Sequence, residues 1–365
     1  MFKKHFLTQH ETLGEFPHPK RFRSVFIFLI TIGFCLLPIA EVIAQSGGFA
    51  GSFSRMGFSP RGMGMGNAMT AVQSEGSFAY YNPALTARPA GDIQLDFSTA
   101  ALRFDRQLHM AHSHFSLPPS AGLSFSLINA RVSDIDGRTQ SGYHTDYLSA
   151  SEYQLIGNFA LRFTDRFWGG IGLKYNLANY HRDVPKSSSI GLDAGLRLQI
   201  HPDIAVAFAV KDLLSEQNVN SSDLYGTERT DHSQSFPTRL IAGISFDLSE
   251  QWLISFDLEN RYQSSEINRM VEDDSREGQA RMERENTTSA SRFARLGSRY
   301  QIHERLTLRG GLQYIDIGDE NVLQPSAGFS IHLPYDHLSP SIDYAFMREP
   351  SQLSTMHVFA IRLHI

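Results

Sequence analysis

Ser59-Pro60-Arg61-Gly62-Met63-Gly64-Met65-Gly66-Asn67-Ala68, followed by Ala79-Tyr80-Tyr81-Asn82-Pro83-Ala84-Leu85, decides how the rest of the chain is read. The stretch is too Gly-rich for an ordinary helix, and its side chains are too small to build a core alone. It reads as a segment packed inside, or across the mouth of, a closed β-structure. Glycine suits that position because the crossing backbone and the lining strands must approach closely. The competing reading is a flexible N-terminal linker. Against it stand the Tyr80-Tyr81 pair and the Asn82-Pro83 turn, both of which imply a fixed geometry.

Everything after this stretch alternates with period 2. Ile93, Leu95 and Phe97 share one face, and Gln94, Asp96 and Ser98 the other. Similar segments follow near 107–117, 121–130, 151–163, 170–177, 190–200, 204–210, 239–248, 252–259, 293–302, 306–314, 322–333, 341–348 and 358–365. Together they make about fourteen strands, an even number as in single-chain bacterial outer-membrane barrels. A water-soluble sandwich would turn the apolar face inward, and a membrane barrel would turn it to lipid. Periodicity cannot separate these two, but the connections can. Tight turns such as 117–120, 164–166, 201–203, 249–251 and 303–304 alternate with long polar stretches at 131–150, 180–186, 212–235 and 263–289. Short turns at one rim and long loops at the other belong to a membrane barrel. The expected fold is therefore all-β: a closed antiparallel transmembrane barrel over 91–365, with a short lumen-associated segment over 45–90. Trp168, Trp252, Tyr175 and Tyr314 are expected at the headgroup level.

The N-terminus reads as an export signal over 1–44. Lys20, Arg21 and Arg23 precede the apolar run Val25 to Leu37, Pro38 breaks it, and Val42-Ile43-Ala44 offers a cleavage site. A retained helix is the alternative, since the run is long enough to span, but Pro38, Glu41 and the cleavage-like end favour removal. The single cysteine, Cys35, falls inside the run, so an exported mature chain has no disulfide available and must draw rigidity from elsewhere. A formal net charge of -5 leaves no basic footprint for nucleic acid. The expected location is the bacterial outer membrane, with its lipid as the first partner.

Arg61-Gly62-Met63-Gly64-Met65-Gly66-Asn67-Ala68 with Ala79-Tyr80-Tyr81-Asn82-Pro83-Ala84 resembles the N-terminal signature of the PorV/PorQ branch of FadL-like outer-membrane proteins. Met356-His357-Val358-Phe359-Ala360-Ile361-Arg362-Leu363 resembles the last strand of that family. The resemblance implies a fourteen-stranded barrel with an N-terminal segment in its lumen. It implies a PorV/PorQ-type role with secretion-system proteins or exported cargo (type IX secretion), or, as the alternative, FadL-like transport of hydrophobic small molecules such as long-chain fatty acids.

Signals for chemistry are sparse. His112 and His114 lie on one strand face, but no third metal ligand is spaced with them. Glu272-Asp273-Asp274 lacks the glycine of a calcium loop and reads as a solvated acidic loop. Gly62, Gly64 and Gly66 lack the leading strand and the Gly-Lys-Ser/Thr ending of a phosphate loop. Neither a Gly-x-Ser-x-Gly elbow nor a His-Glu-x-x-His is present. Neither an enzyme nor a cofactor is expected. The site candidates are structural: Arg61, Gly62, Gly64, Gly66, Asn67, Asn82 and Pro83 in the lumen segment, and Arg197, Arg239, Asp257, Glu259 and Arg309 lining the lumen. The lining either selects solutes and braces the segment, or simply fills the interior with paired polar groups; filling is the simpler reading.

Overall fold

The computed structural model describes residues 51–75, 78–88, 93–182, 184–220, 231–272, 280–317, 320–333, 339–349 and 354–365. The expected signal segment and Asp273-Asp274 of the acidic loop lie outside them. The strands are β1 (Ile93–Ala101), β2 (Arg106–Leu117), β3 (Ala121–Arg138), β4 (His144–Thr164), β5 (Phe167–Asn179), β6 (Ser187–His201), β7 (Ile204–Leu213) and β8 (Glu216–Asn220). They continue with β9 (Asp231–Ser235), β10 (Thr238–Asp247), β11 (Trp252–Glu272), β12 (Ala280–His303), β13 (Leu306–Ile317), β14 (Glu320–His332), β15 (Ser341–Arg348) and β16 (Thr355–His364).

Fourteen of these close one antiparallel barrel, with β1 paired to both β2 and β16, and β10 beside β7. Closure leaves no strand edge unpaired, which is what a hydrocarbon environment demands. The start of β1 and the end of β16 meet at the rim of the short turns, where Gln94 faces His364. Each barrel strand corresponds to one alternating segment of the sequence.

The stretches expected as long loops are in good part strand. β3 and β4 stay paired out to Arg138 and His144, and β11 and β12 out to Glu272 and Ala280. The stretch 212–235 carries β8 and β9, a separate two-stranded sheet. Polar composition marked these regions as loops, but ladder pairing between neighbouring strands continues whatever the side chains, provided both strands run on.

Side chains sort as in a membrane barrel. Phe97, Leu155, Ile171, Leu173, Ile190, Leu196 and Phe359 face outward, while Asp96, His112, Lys174, Asp193, Asp257, Glu259 and Arg362 are buried within. Trp252, Tyr175 and Tyr314 point outward as expected, but Trp168 does not: it is buried beneath Arg197, whose guanidinium carbon lies 4.9 Å from its ring. The pleat dictates this, since Trp168 shares parity with Lys174 on the inner face. If the barrel is closed in this way, unboiled protein in detergent gel electrophoresis will run ahead of boiled protein, and the two bands will merge after heating.

Candidate functional site: the segment held in the lumen

Residues 51–75 and 78–88 pack inside the barrel. Contrary to the expectation that this stretch is too glycine-rich to be helical, Pro60–Gly64 forms a one-turn helix. Proline at its first position pre-sets φ, and one turn enclosed by the barrel needs little intrinsic propensity. A second turn of helix, Phe78–Tyr81, leads into Asn82, whose side chain accepts from the Ala84 N–H and caps the 3₁₀ turn Pro83–Thr86. Gly66 (φ +61°) and Asn67 (φ 61°) are both left-handed, the conformation for which glycine and asparagine are suited.

Wall and segment touch backbone to backbone. A Cβ on Gly311 would stand 2.1 Å from the Gly66 nitrogen, and one on Gly66 would stand 2.9 Å from the Leu312 nitrogen. Gly64 lies over Gly328, Gly170 over Pro83, and Gly195 over the Asn82 amide. Gly62 leaves room for the Tyr81 hydroxyl.

Polar contacts fix the rest. Asp257 accepts through one oxygen from the Met69 N–H (2.9 Å), the Thr70 N–H (2.9 Å) and the Thr70 hydroxyl (2.7 Å). Ser255 donates to the Ala68 carbonyl at 2.6 Å. Arg61 pairs with Asp343 (3.0 Å) and donates to Ser341 (2.8 Å). Asn67 accepts from Tyr81 (2.9 Å), and Asn82 donates to the carbonyls of Thr70 (3.0 Å) and Leu196 (3.2 Å). Arg197 donates to the Ala71 carbonyl at 3.1 Å, and Lys211 donates to that of Tyr80.

Glu75 is the anionic centre of the segment. Arg309 pairs with it, Arg299 lies 3.6 Å away, and Arg362 donates to its carbonyl. Burial by itself would raise its pKa; Arg309, Arg61 and Arg299 overcome this and hold it below the ordinary glutamate value.

All twelve sequence candidates are buried in the lumen. Asp257, Arg197 and Arg309 hold the segment directly. Arg239 and Glu259 instead pair with wall groups, Arg239 with Asp212 at 2.6 Å, and Glu259 with Arg295 at 2.6 Å and with Arg261. Sequence reading passed over Glu75, Asp343, Lys211, Asp212 and Arg362. Strand parity marks Asp343, Lys211 and Arg362 as inward, but Asp212 breaks the parity of β7, at a positive φ (61°) beside a register shift against β6, and nothing local singles out Glu75. His112 and His114 bond to Ser126 (2.8 Å) and to the Thr86 carbonyl (2.7 Å). Among the described residues no three metal-binding side chains converge.

The interior has two characters. On the β15–β16–β1–β2–β3 side, Phe53, Phe58, Met63 and Met65 of the segment belong to one apolar cluster with Ala100, Leu108, Met110, Ile128, Met347, Met356 and Val358. Toward the short-turn rim this side is charged as well, with Arg61 on Asp343 and Arg362 on Asp96; further charged groups lie on the opposite side. Arg55, Lys211, Arg239, Glu259, Arg295 and the two tyrosines there enclose a space of about 20 Å³, enough for roughly one water.

No protein-family model matches the sequence, and no curated protein matches it. Solved structures do. The monoaromatic hydrocarbon channel CymD aligns at TM-score 0.53 and 16% identity, over 85% of this chain and 97% of that one. The toluene transporter TbuX of Ralstonia pickettii aligns at 0.54 and 14%, over 86% and 98%. A FadL homologue from Pseudomonas aeruginosa aligns at 0.57 and 10%, over 84% and 98%. The chain folds like the FadL-type outer-membrane barrels. At these identities the likeness concerns fold, and the individual contacts above belong to this chain.

Two outcomes test this interface. Asp257→Ala strands three buried donors, each worth about 1–3 kcal/mol, so planar-bilayer recordings should show higher or noisier conductance than for Asp257→Asn. Because the pKa of Glu75 is lowered in the folded state, its stabilising contribution is complete above the unfolded value near 4.3 and is lost as pH falls through the lower folded value. Protease sensitivity of residues 51–88 should therefore rise on acidification below about pH 4, and Glu75→Gln should flatten that dependence.

Proposed function

We propose that this protein is an outer-membrane conduit for hydrophobic small molecules. The observation that carries the reading is the apolar seam between the luminal segment and one side of the wall. Seven methionines take part in it or pack against it: Met56, Met63, Met65, Met69, Met110, Met347 and Met356. Thioether side chains are unbranched and adaptable, so such a seam can part and re-form around guests of varied shape. A pore for polar solutes would have its continuous lining on the charged side, where the groups instead neutralise one another. The likeness in fold to channels described for toluene and monoaromatic hydrocarbons supports the same class of cargo.

In this reading Asp257, Arg197, Arg309 and Arg61 are positioning residues that seat the segment, and its movement gates passage. The PorV/PorQ-type reading, with secretion-system proteins or exported cargo, rests on the two terminal motifs, and the solved-structure likenesses lend it no support.

Proteoliposomes distinguish the two. Protein-dependent entry of a labelled monoaromatic hydrocarbon or a labelled long-chain fatty acid, well above that of empty vesicles, is expected. A second variant, Met356→Lys, puts a charge into the seam and should suppress that entry while leaving the heat-modifiable band intact. Absence of entry for both probes, with large exported proteins co-purifying, would replace transport by the secretion role.

A further inference from the structure

The outer surface of the barrel carries a groove of about 610 Å³ over β15, β16, β1, β2 and β3. Its sides are Phe97, Leu127, Ile342, Phe359 and Ile361, all outward-facing and apolar. Small side chains lower the surface between them: Ala111 pairs with Phe97 on one side and Leu127 on the other, and Thr99 stands opposite Phe359. One end of the groove is polar. Thr99, His109 and Asn129 form a row across three neighbouring strands in direct register.

That row lies near the far edge of the lipid-facing wall, with Thr99 two residues from the end of β1 and His109 three from the start of β2. His109 lies eight residues from Leu117 at the turn rim, which at about 3.4 Å per residue and 35–45° of tilt is roughly 20 Å up a band roughly 25 Å tall. That is close to the boundary between hydrocarbon and headgroups, the level at which lipid ester groups lie. The mutual bonds of the row leave capacity over. The Thr99 hydroxyl lies 3.0 Å from His109 Nδ1. With that hydroxyl donating, Nε2 carries the ring proton and is a donor. Asn129 spends its amide on the Glu152 carbonyl at 3.1 Å.

We propose that this groove is a binding site for the acyl chain of a membrane lipid, with the ester carbonyl accepting from His109 at the polar end. The apolar sides match a hydrocarbon tail, the small floor residues provide its depth, and the row of polar groups supplies what a bare aliphatic wall lacks. The site stands apart from the luminal segment and does not depend on the transport reading.

The test uses the full barrel in phosphatidylethanolamine vesicles doped with a phosphatidylethanolamine that bears a diazirine on one acyl chain. After irradiation, adducts mapped by peptide mass spectrometry should concentrate on 97–111 and 359–361 relative to the outward face of β6. Ala111→Phe fills the floor and should lower that labelling several-fold. His109→Leu keeps the groove and should lower it roughly five- to tenfold, as expected for one hydrogen bond lost in hydrocarbon. Heat-modifiable migration verifies folding of both variants, and His109→Leu suffices should Ala111→Phe fail to fold. Labelling spread evenly around the barrel, or unchanged in His109→Leu, overturns the proposal. Complete displacement by equimolar free palmitic acid, or loss of labelling through dimer formation over the groove, overturns the lipid as occupant.

Discussion

The pairing of every backbone N–H and C=O within the protein governs this molecule. In hydrocarbon an open strand edge has no water to turn to, so the sheet closes on itself. Closure then forces a division. Each strand offers one face to lipid and the other to a narrow interior, and the charged residues have only the interior to occupy. Lys174 between Asp193 and Asp212, Arg239 on Asp212, and Arg295 on Glu259 are the result. Such groups must be paired where they lie, because an unpartnered charge there would be strongly destabilising.

The luminal segment completes that interior. It brings Glu75 to a cluster of arginines and Arg61 to Asp343, and it lends main-chain donors to Asp257. It can do so because glycines on both surfaces remove the side chains that would hold them apart. The contact is therefore main chain against main chain at Gly66 over Gly311, Gly64 over Gly328 and Gly170 over Pro83. Segment and wall are complementary in charge at Glu75–Arg309 and Arg61–Asp343 and in apolar surface along the methionine-rich cluster.

This interior bears on the proposed transport. On the β11–β13 side the segment is held by Asp257 on the donors of Met69 and Thr70 and by Glu75 on Arg309 and Arg299. Arg61 on Asp343 and Ser341, and His114 on the Thr86 carbonyl, tether the methionine-rich side as well, but the methionine-rich patch itself holds by dispersion and exclusion of water, apart from the weak contact of the Asn67 amide with Met347 sulfur at 3.8 Å. A guest of apolar character replaces such contacts with equivalent ones of its own, so opening there costs little net free energy.

The sequence by itself determined the fourteen strands, their inward and outward faces and the rim at which the chain enters and leaves; it left the Gly-rich stretch either inside the barrel or across its mouth. Those features are local: period-2 alternation, turn residues and connection length are written in neighbouring positions. The inward placement of Arg197, Arg239, Asp257, Glu259 and Arg309 followed from the same parity, and so, on a stricter count, did that of Trp168. Tertiary structure alone decided that Asp257 holds main-chain donors while Glu259 holds only wall arginines, that Glu75 is the centre of a charged cluster, and that Thr99, His109 and Asn129 line up beside a groove. Partners of this kind lie tens to hundreds of residues apart in the chain, and what joins them is the register and curvature of a closed sheet, which no single strand encodes.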